Sequence, residues 1–345
     1  MQEAVNVENG VSSEIAVTVP PEAISVSVTV DGTTEAYFAL GAWDDSQGNV
    51  LVTPDWYRGG QSSVCLQCPN RIAAQEGAFA ALAPNNQDAR LAPGEHSFNI
   101  IGRRLVNMRM FEPWTGSVVV SVHAKVLPEL PTAGIVDFNF HFTGAGGWTA
   151  ENAASNTEFT TMLADVAEIY AQVGLSIGRM TYRDVDPSYS VIESIQGADS
   201  DFMALLAESE GASIGAINVF FVDEMMLGGP FGGFGLLLGA AGGIPGPVLV
   251  HGTARSGVVI ALGGHDQPGA PTVLPNTVAH EVGHYLGLFH TSEMAIFGMM
   301  NDPIDDTPVN DSDYLMFNTG EGSTISPWQA RVMLSNPWIR HAGGS

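Results

Sequence analysis

One run constrains this chain more than any other: Thr277-Val278-Ala279-His280-Glu281-Val282-Gly283-His284-Tyr285-Leu286-Gly287-Leu288-Phe289-His290. His280 and His284 stand four apart, so a helix puts both imidazoles on one face. That separation suits two ligands of one tetrahedral zinc. Asn276 precedes the run and is a good N-cap for such a helix. Glu281 points toward the same region and is placed to accept a proton from water rather than to bind metal. Gly287 stops the helix, because glycine takes the left-handed conformation there without a Cβ penalty. The chain then turns sharply, and His290 can return as a third ligand. Three protein ligands leave a fourth position open, which is a catalytic and not a closed structural arrangement. His-Glu-x-x-His alone arises often by chance. The full His-Glu-x-x-His-x-x-Gly-x-x-His fixes five positions, and three unrelated histidines on an ordinary helix would have to meet all of them.

The rest of the composition bounds what such a site can serve. The chain has 345 residues, 45% of them hydrophobic and 14% charged, enough to bury a sizeable core. It carries 37 acidic and 12 basic residues, a formal net charge of -25. Such a field repels phosphate backbones and anionic membrane surfaces, so no nucleic acid partner is expected. The longest uncharged stretch, Met225 to Val250, is broken by glycines and by Pro230, Pro245 and Pro247. It reads as a Gly-rich loop beside a cleft, and no membrane insertion is expected. The first residues, Met1-Gln2-Glu3-Ala4, lack the basic and apolar regions of a secretory leader.

The pattern of elements changes once along the chain. Residues 1–126 read as short alternating strands separated by turns, an all-β sandwich. Val17 to Val19, Ile24 to Val30, Ser97 to Ile100 and Ser117 to Val122 are the clearest strands. Residues 127–134, with Pro128 and Pro131, read as a linker. Residues 135–345 read as an α/β or α+β domain. Strands are expected at Ile135 to Phe142, Leu175 to Tyr182, Ala216 to Val222 and Gly257 to Leu262. A helix opens at Asn156 or Thr157, with Phe159, Met162, Leu163, Val166, Tyr170 and Val173 on one face and Gly174 as its stop. Ser326-Pro327 opens a last helix, serine as cap and proline at the first position.

The extended histidine motif resembles the signature of the metzincin zinc metallopeptidases. That resemblance implies a mixed five-stranded sheet, an active-site helix and a methionine turn beneath the metal. Within Asp313-Tyr314-Leu315-Met316-Phe317 the turn methionine is Met316; Met299 and Met300, nearer His290, are rivals. His290-Thr291 and Asp306-Thr307-Pro308 are similar to the pappalysin and cytophagalysin group, over about residues 135–339. Two features depart from that group: Asn318 stands where a tyrosine often follows the turn methionine, and this part of the chain has no cysteine. The first segment resembles the pre-peptidase β-sandwich domains found beside secreted bacterial proteases. The resemblance implies a secreted zinc endopeptidase acting on protein or peptide substrates, its leader not present in this chain. Zn2+ would be held by His280, His284 and His290, with Glu281 as general base and Gly287 and Met316 as structural supports.

Several other features keep two readings. Asp302, Asp305, Asp306, Asp311 and Asp313 crowd one loop, which is either a solvated acidic loop or a Ca2+ site formed around Asp302, Asp305 and Asp306. Cys65 and Cys68 are a short-loop disulfide, two free thiols, or the source of a thiolate that caps the zinc in a latent form. Gly243 to Pro247 is either a structural loop or a wall above the metal against which an extended substrate pairs. His251 and His265 flank the strands beside the cleft. Two rival functions come from other classes: a zinc hydrolase acting on a non-protein amide such as cell-wall peptide, and an inactive binding or adhesion module. Nothing in the pattern specifies an oligomeric state.

Overall fold

Alternation of apolar and polar residues builds the first third of the protein. In Ile15–Val19 the burial alternates with the sequence, Ile15, Val17 and Val19 inward and Ala16 and Thr18 outward. The computed structural model describes residues 1–57, 63–106, 110–228, 234–265, 273–295 and 298–341. Strands between Gln2 and Val126 join one 11-stranded antiparallel sheet. Its ends fold toward each other. Gly77 donates its N–H to Ala36 O and accepts from Gly32 N. A Cβ on Gly32 would run into the Phe38 ring and meet a Val118 methyl at 3.1 Å. Val28, Val30, Phe38, Leu40, Phe79, Phe98, Ile100 and Val120 share one apolar cluster inside this fold. Cys65 and Cys68 are bonded to each other and buried in that cluster. Neither offers a thiolate to the histidines, which removes the latent-cap reading.

The large sheet ends at Val126, and Gly134 opens a mixed five-stranded sheet. Its order is Leu175–Asp184, Gly134–Phe142, Ile217–Val222, Val258–Ala261, Gly239–Ala241. The first four run parallel and the last is an antiparallel edge. Ile217–Val222 is buried throughout, which explains why it is apolar at every position but Asn218. In Gly134–Phe142 the apolar face (Val136, Phe138, Phe140, Phe142) packs in the main core. Its polar face is buried too. Asp137 is neutralised by Arg179 and Arg340, and Asn139 and His141 bond to Asn218. Alternation here marks two different buried layers rather than one wet side.

Helix α1, Thr157–Ala171, is capped by Asn156, whose side chain accepts from Phe159 N, and Gly174 follows it at φ +72°. Helix α2, Asp201–Ala207, packs with Phe220, Val222 and Val259 on the opposite face of the sheet. Helix α3, Leu274–Tyr285, carries the histidine motif. It starts earlier than the sequence suggests. Pro275 occupies the first turn, where its missing N–H costs nothing, and no side chain caps the end. Asn276 therefore lies inside the helix, and its amide donates to Glu321 O and Gly322 O. Helix α4, Pro327–Ser335, has the expected Ser326 cap, completed by Gln329 into a capping box.

The two β regions are fastened by buried polar contacts. Lys125 donates to the carbonyls of Leu334, Asn336 and Ile339 at 2.8, 2.7 and 2.8 Å. Val248 N donates to Thr29 Oγ1, and Arg255 Nε to Glu76 O. No helix among the described residues is long and apolar enough to cross a membrane.

Candidate metal centre

Helix geometry places His280 and His284 one turn apart on α3, both almost wholly buried. The helix ends at Tyr285, and Gly287 adopts φ +110°. Only glycine takes that conformation without strain. The turn is closed by Gly287 N donating to His284 O and Leu288 N donating to Gly283 O. It carries His290 back over the helix.

The three Nε2 atoms converge. His290 Nε2 lies 3.2 Å from that of His280 and 3.0 Å from that of His284. Ligand nitrogens at about 2.0–2.1 Å from a tetrahedral zinc stand about 3.4 Å apart, so these separations fit a shared cation. All three ligand atoms fall within 4.8 Å of one another, the one such group of histidine, cysteine or carboxylate side chains among the described residues. Each Nδ1 faces an oxygen: Leu315 O at 2.6 Å for His280, Leu288 O at 2.7 Å for His284, Glu293 Oε2 at 2.7 Å for His290. A carbonyl can only accept, so Nδ1 carries the proton and Nε2 keeps its lone pair for a metal. Burial pulls His280 down to about 4 and His284 well below its usual range, aided by the charge of His290. Both are neutral at neutral pH, the form that binds metal.

Glu281 points from α3 toward the edge strand Gly239–Ala241, and its carboxylate accepts from Ala241 N–H. Burial pushes it up to about 8. A divalent cation nearby would pull it back down. The approach of strand and helix is close: a Cβ on Gly239 would stand 2.6 Å from Glu281 Cγ. A cavity of about 200 Å³ opens here, lined by Leu237, Gly239, Thr277, His280, Glu281 and Asn318.

Met316 lies beneath the helix, fully buried, in the turn closed by Phe317 N donating to Tyr314 O. A Cβ on Gly283 would sit 2.7 Å from its sulfur, so glycine between the two helical histidines lets the methionine approach. Thr291 N donates to Met316 O, tying the loop that carries His290 to the same turn. Met299 is in the hairpin Ser292–Ala295/Gly298–Asn301 and partly exposed.

The carboxylates suggested for calcium do not gather. Asp306 uses both oxygens at the start of α4, accepting from Ser326 Oγ and Trp328 N. Asp302 accepts from Thr307 Oγ1 and Ile304 N. Asp305 is exposed. Crowding in sequence became local capping, because short acidic side chains bond the nearest main-chain N–H. Gly243 to Pro247 is not a wall above the metal. Gly246 N donates to Tyr285 O, and a Cβ there would run into the Tyr285 ring. The segment packs under the end of α3, and the edge strand facing Glu281 is Gly239–Ala241. Residues 229–233 of the Gly-rich stretch lie outside the described residues. His251, half-buried in a loop, bonds Asn218, and its ring is tilted 57° to that of Trp338 at 5.6 Å. Glu293 escaped the sequence reading. Its signal is an acidic residue three positions after a ligand histidine.

No family model matches the chain. It is similar to the extracellular metalloprotease of Colletotrichum graminicola, 28% identical over 177 residues, covering 50% of this chain and 57% of that protein. It is similar to extracellular metalloprotease 1 of Coccidioides posadasii, 28% identical over 174 residues, covering 50% and 58%. The chain thus spans less than two thirds of the curated relatives it matches. Metalloproteinase-II of Bacteroides fragilis aligns in space over 60% of this chain and 54% of its own, at 15% identity and a TM-score of 0.33, a likeness too slight to bear on function. The chain resembles proteins named as extracellular metalloproteases, and it holds three histidines arranged as metal ligands.

Proposed function

We propose that this protein is a secreted zinc-dependent endopeptidase of the metzincin type, nearest the pappalysin and cytophagalysin group, with residues 1–126 as a β-sandwich unit and residues 135–345 as the peptidase unit. The observation that carries the reading is the convergence of three Nε2 lone pairs beside a buried glutamate. Zinc held there supplies Lewis acidity, enough to make a water nucleophilic near neutral pH and to polarise a peptide carbonyl. His280, His284 and His290 hold it, their rings fixed by the oxygens behind them. Glu281 takes the proton of the attacking water and returns a proton to the leaving amine. The substrate lies extended along Gly239–Ala241, with one side chain in the cavity beside Glu281 and Asn318. Met316 and Gly287 keep the helix and the returning loop in register.

The test is metal content and cleavage together. Purified protein should hold about one zinc, cleave casein, lose cleavage to a chelator and regain it with zinc. Digestion of cell wall without casein cleavage would favour the amide hydrolase reading. Zinc binding with neither activity would favour a binding module.

A further inference from the structure

The region that reads as an accessory sandwich reaches into the metal centre through Arg71. Its guanidinium lies 5.5 Å from the centroid of the Phe289 ring, the residue before the third histidine. Its Nη1 donates to Asn301 O at 2.6 Å. Asn301 pairs with Ser292 across the hairpin, and Glu293 pairs with Met300. Glu293 in turn accepts from His290 Nδ1. Arg71 itself is held by Asn85, which accepts from its N–H and donates to its carbonyl. A second contact lies alongside: Leu82, also from the large sheet, packs 3.2 Å from where a Cβ of Gly287 would be.

We infer that Arg71 is a positioning residue for the metal. It grips both ends of the third-ligand loop, Phe289 before it and Asn301 after it, and so holds the hairpin that carries Glu293, the residue behind His290. His280 and His284 need no such help, since their acceptors are main-chain carbonyls close to α3. The inference rests on the metal reading of the three histidines. It makes the large sheet part of the zinc site rather than an attachment to it.

The test uses the full chain as wild type, Arg71→Met, Arg71→Lys, Glu293→Gln and the Arg71→Met/Glu293→Gln pair. Zinc affinity is read by competition with a chromogenic chelator, and the metal-free unfolding midpoint is read separately. Arg71→Met and Glu293→Gln should each weaken zinc about 10- to 100-fold, as loss of a supporting partner does. Arg71→Lys, which keeps charge and loses the planar fork, should fall between wild type and Arg71→Met. The double variant should be weaker than either single by less than the product, because both act on one histidine. Unchanged zinc affinity in Arg71→Met, with only a lower metal-free midpoint, overturns the inference and leaves the metal reading intact. Should Arg71→Met fail to fold, Arg71→Lys binding zinc as tightly as wild type overturns it. Wild type that binds no zinc removes the metal reading and the inference with it.

Discussion

His280 and His284 donate from Nδ1 to main-chain carbonyls, whereas His290 donates to the side chain of Glu293, three residues on in the adjoining hairpin. The helix side is nearly sealed from water. On the loop side the His290 and Glu293 side chains remain 25% and 33% exposed. A carbonyl acceptor cannot be removed by changing a side chain, but a carboxylate can. The difference teaches that one half of the centre is fixed by main-chain acceptors and the other by a neighbouring side chain on a hairpin that Arg71 contacts from far along the chain. The first is robust to mutation, and the second can be tuned.

The largest effect belongs to a helical ligand. His284→Ala should lose zinc by more than the ~100-fold upper cost of a supporting residue, measured by chelator competition. A smaller loss than that of Glu293→Gln would reverse the comparison. Leu288→Ala separates stability from metal binding. It empties a buried site in the main core and should cost about 2–5 kcal/mol in denaturant unfolding. Its carbonyl stays, so zinc affinity should remain within about threefold of wild type, well short of the loss expected for Glu293→Gln.

Gly283→Ala comes next. The added Cβ meets the Met316 sulfur at 2.7 Å, so overpacking should cost about 1–3 kcal/mol of stability. A second change, Met316→Ala, should relieve that clash, and a double-mutant cycle reads the coupling. Strict additivity would show that Met316 does not press on the helix.

The most gradual effect, spread over the window from pH 3.8 to about 7, is a slope with pH on the loop side. Burial pushes Asp302 up to about 7 from 3.8. Between those values the folded state holds a proton that the unfolded chain has released, so stability falls as pH rises through the window. Asp302→Asn should flatten that fall, seen in unfolding midpoints taken from pH 4 to 8. An unchanged slope would assign it to other groups.

The same division explains what the sequence makes legible. Spacing of three or four residues specifies the helix face, the glycine turn and the return of His290, and all of these are local. Strand alternation specifies residues 17–19, 24–30, 97–100 and 117–122 of the large sheet for the same reason, but not Ala78–Ala83, which is apolar and buried throughout. The helix start at Leu274 is missed because the favourable cap residue, Asn276, found partners in the distant Glu321 and Gly322. The acidic loop misleads because composition records charge and not direction, and Asp306 turns toward α4. Arg71 has no local signal at all, since its acceptor Asn301 lies 230 residues away. The buried polar face of Gly134–Phe142 hides for a related reason: its partners Arg179, Asn218 and Arg340 come from three other segments.

The most direct measurement is casein cleavage by wild type beside Glu281→Gln, with zinc content determined in both. Both proteins should hold about one zinc, wild type should cleave, and the variant should be slower by about 10²- to 10⁴-fold, the worth of a general base. A variant that holds zinc and cleaves as fast as wild type would contradict the role of Glu281. Wild type that holds no zinc yet cleaves casein would contradict the metal centre itself.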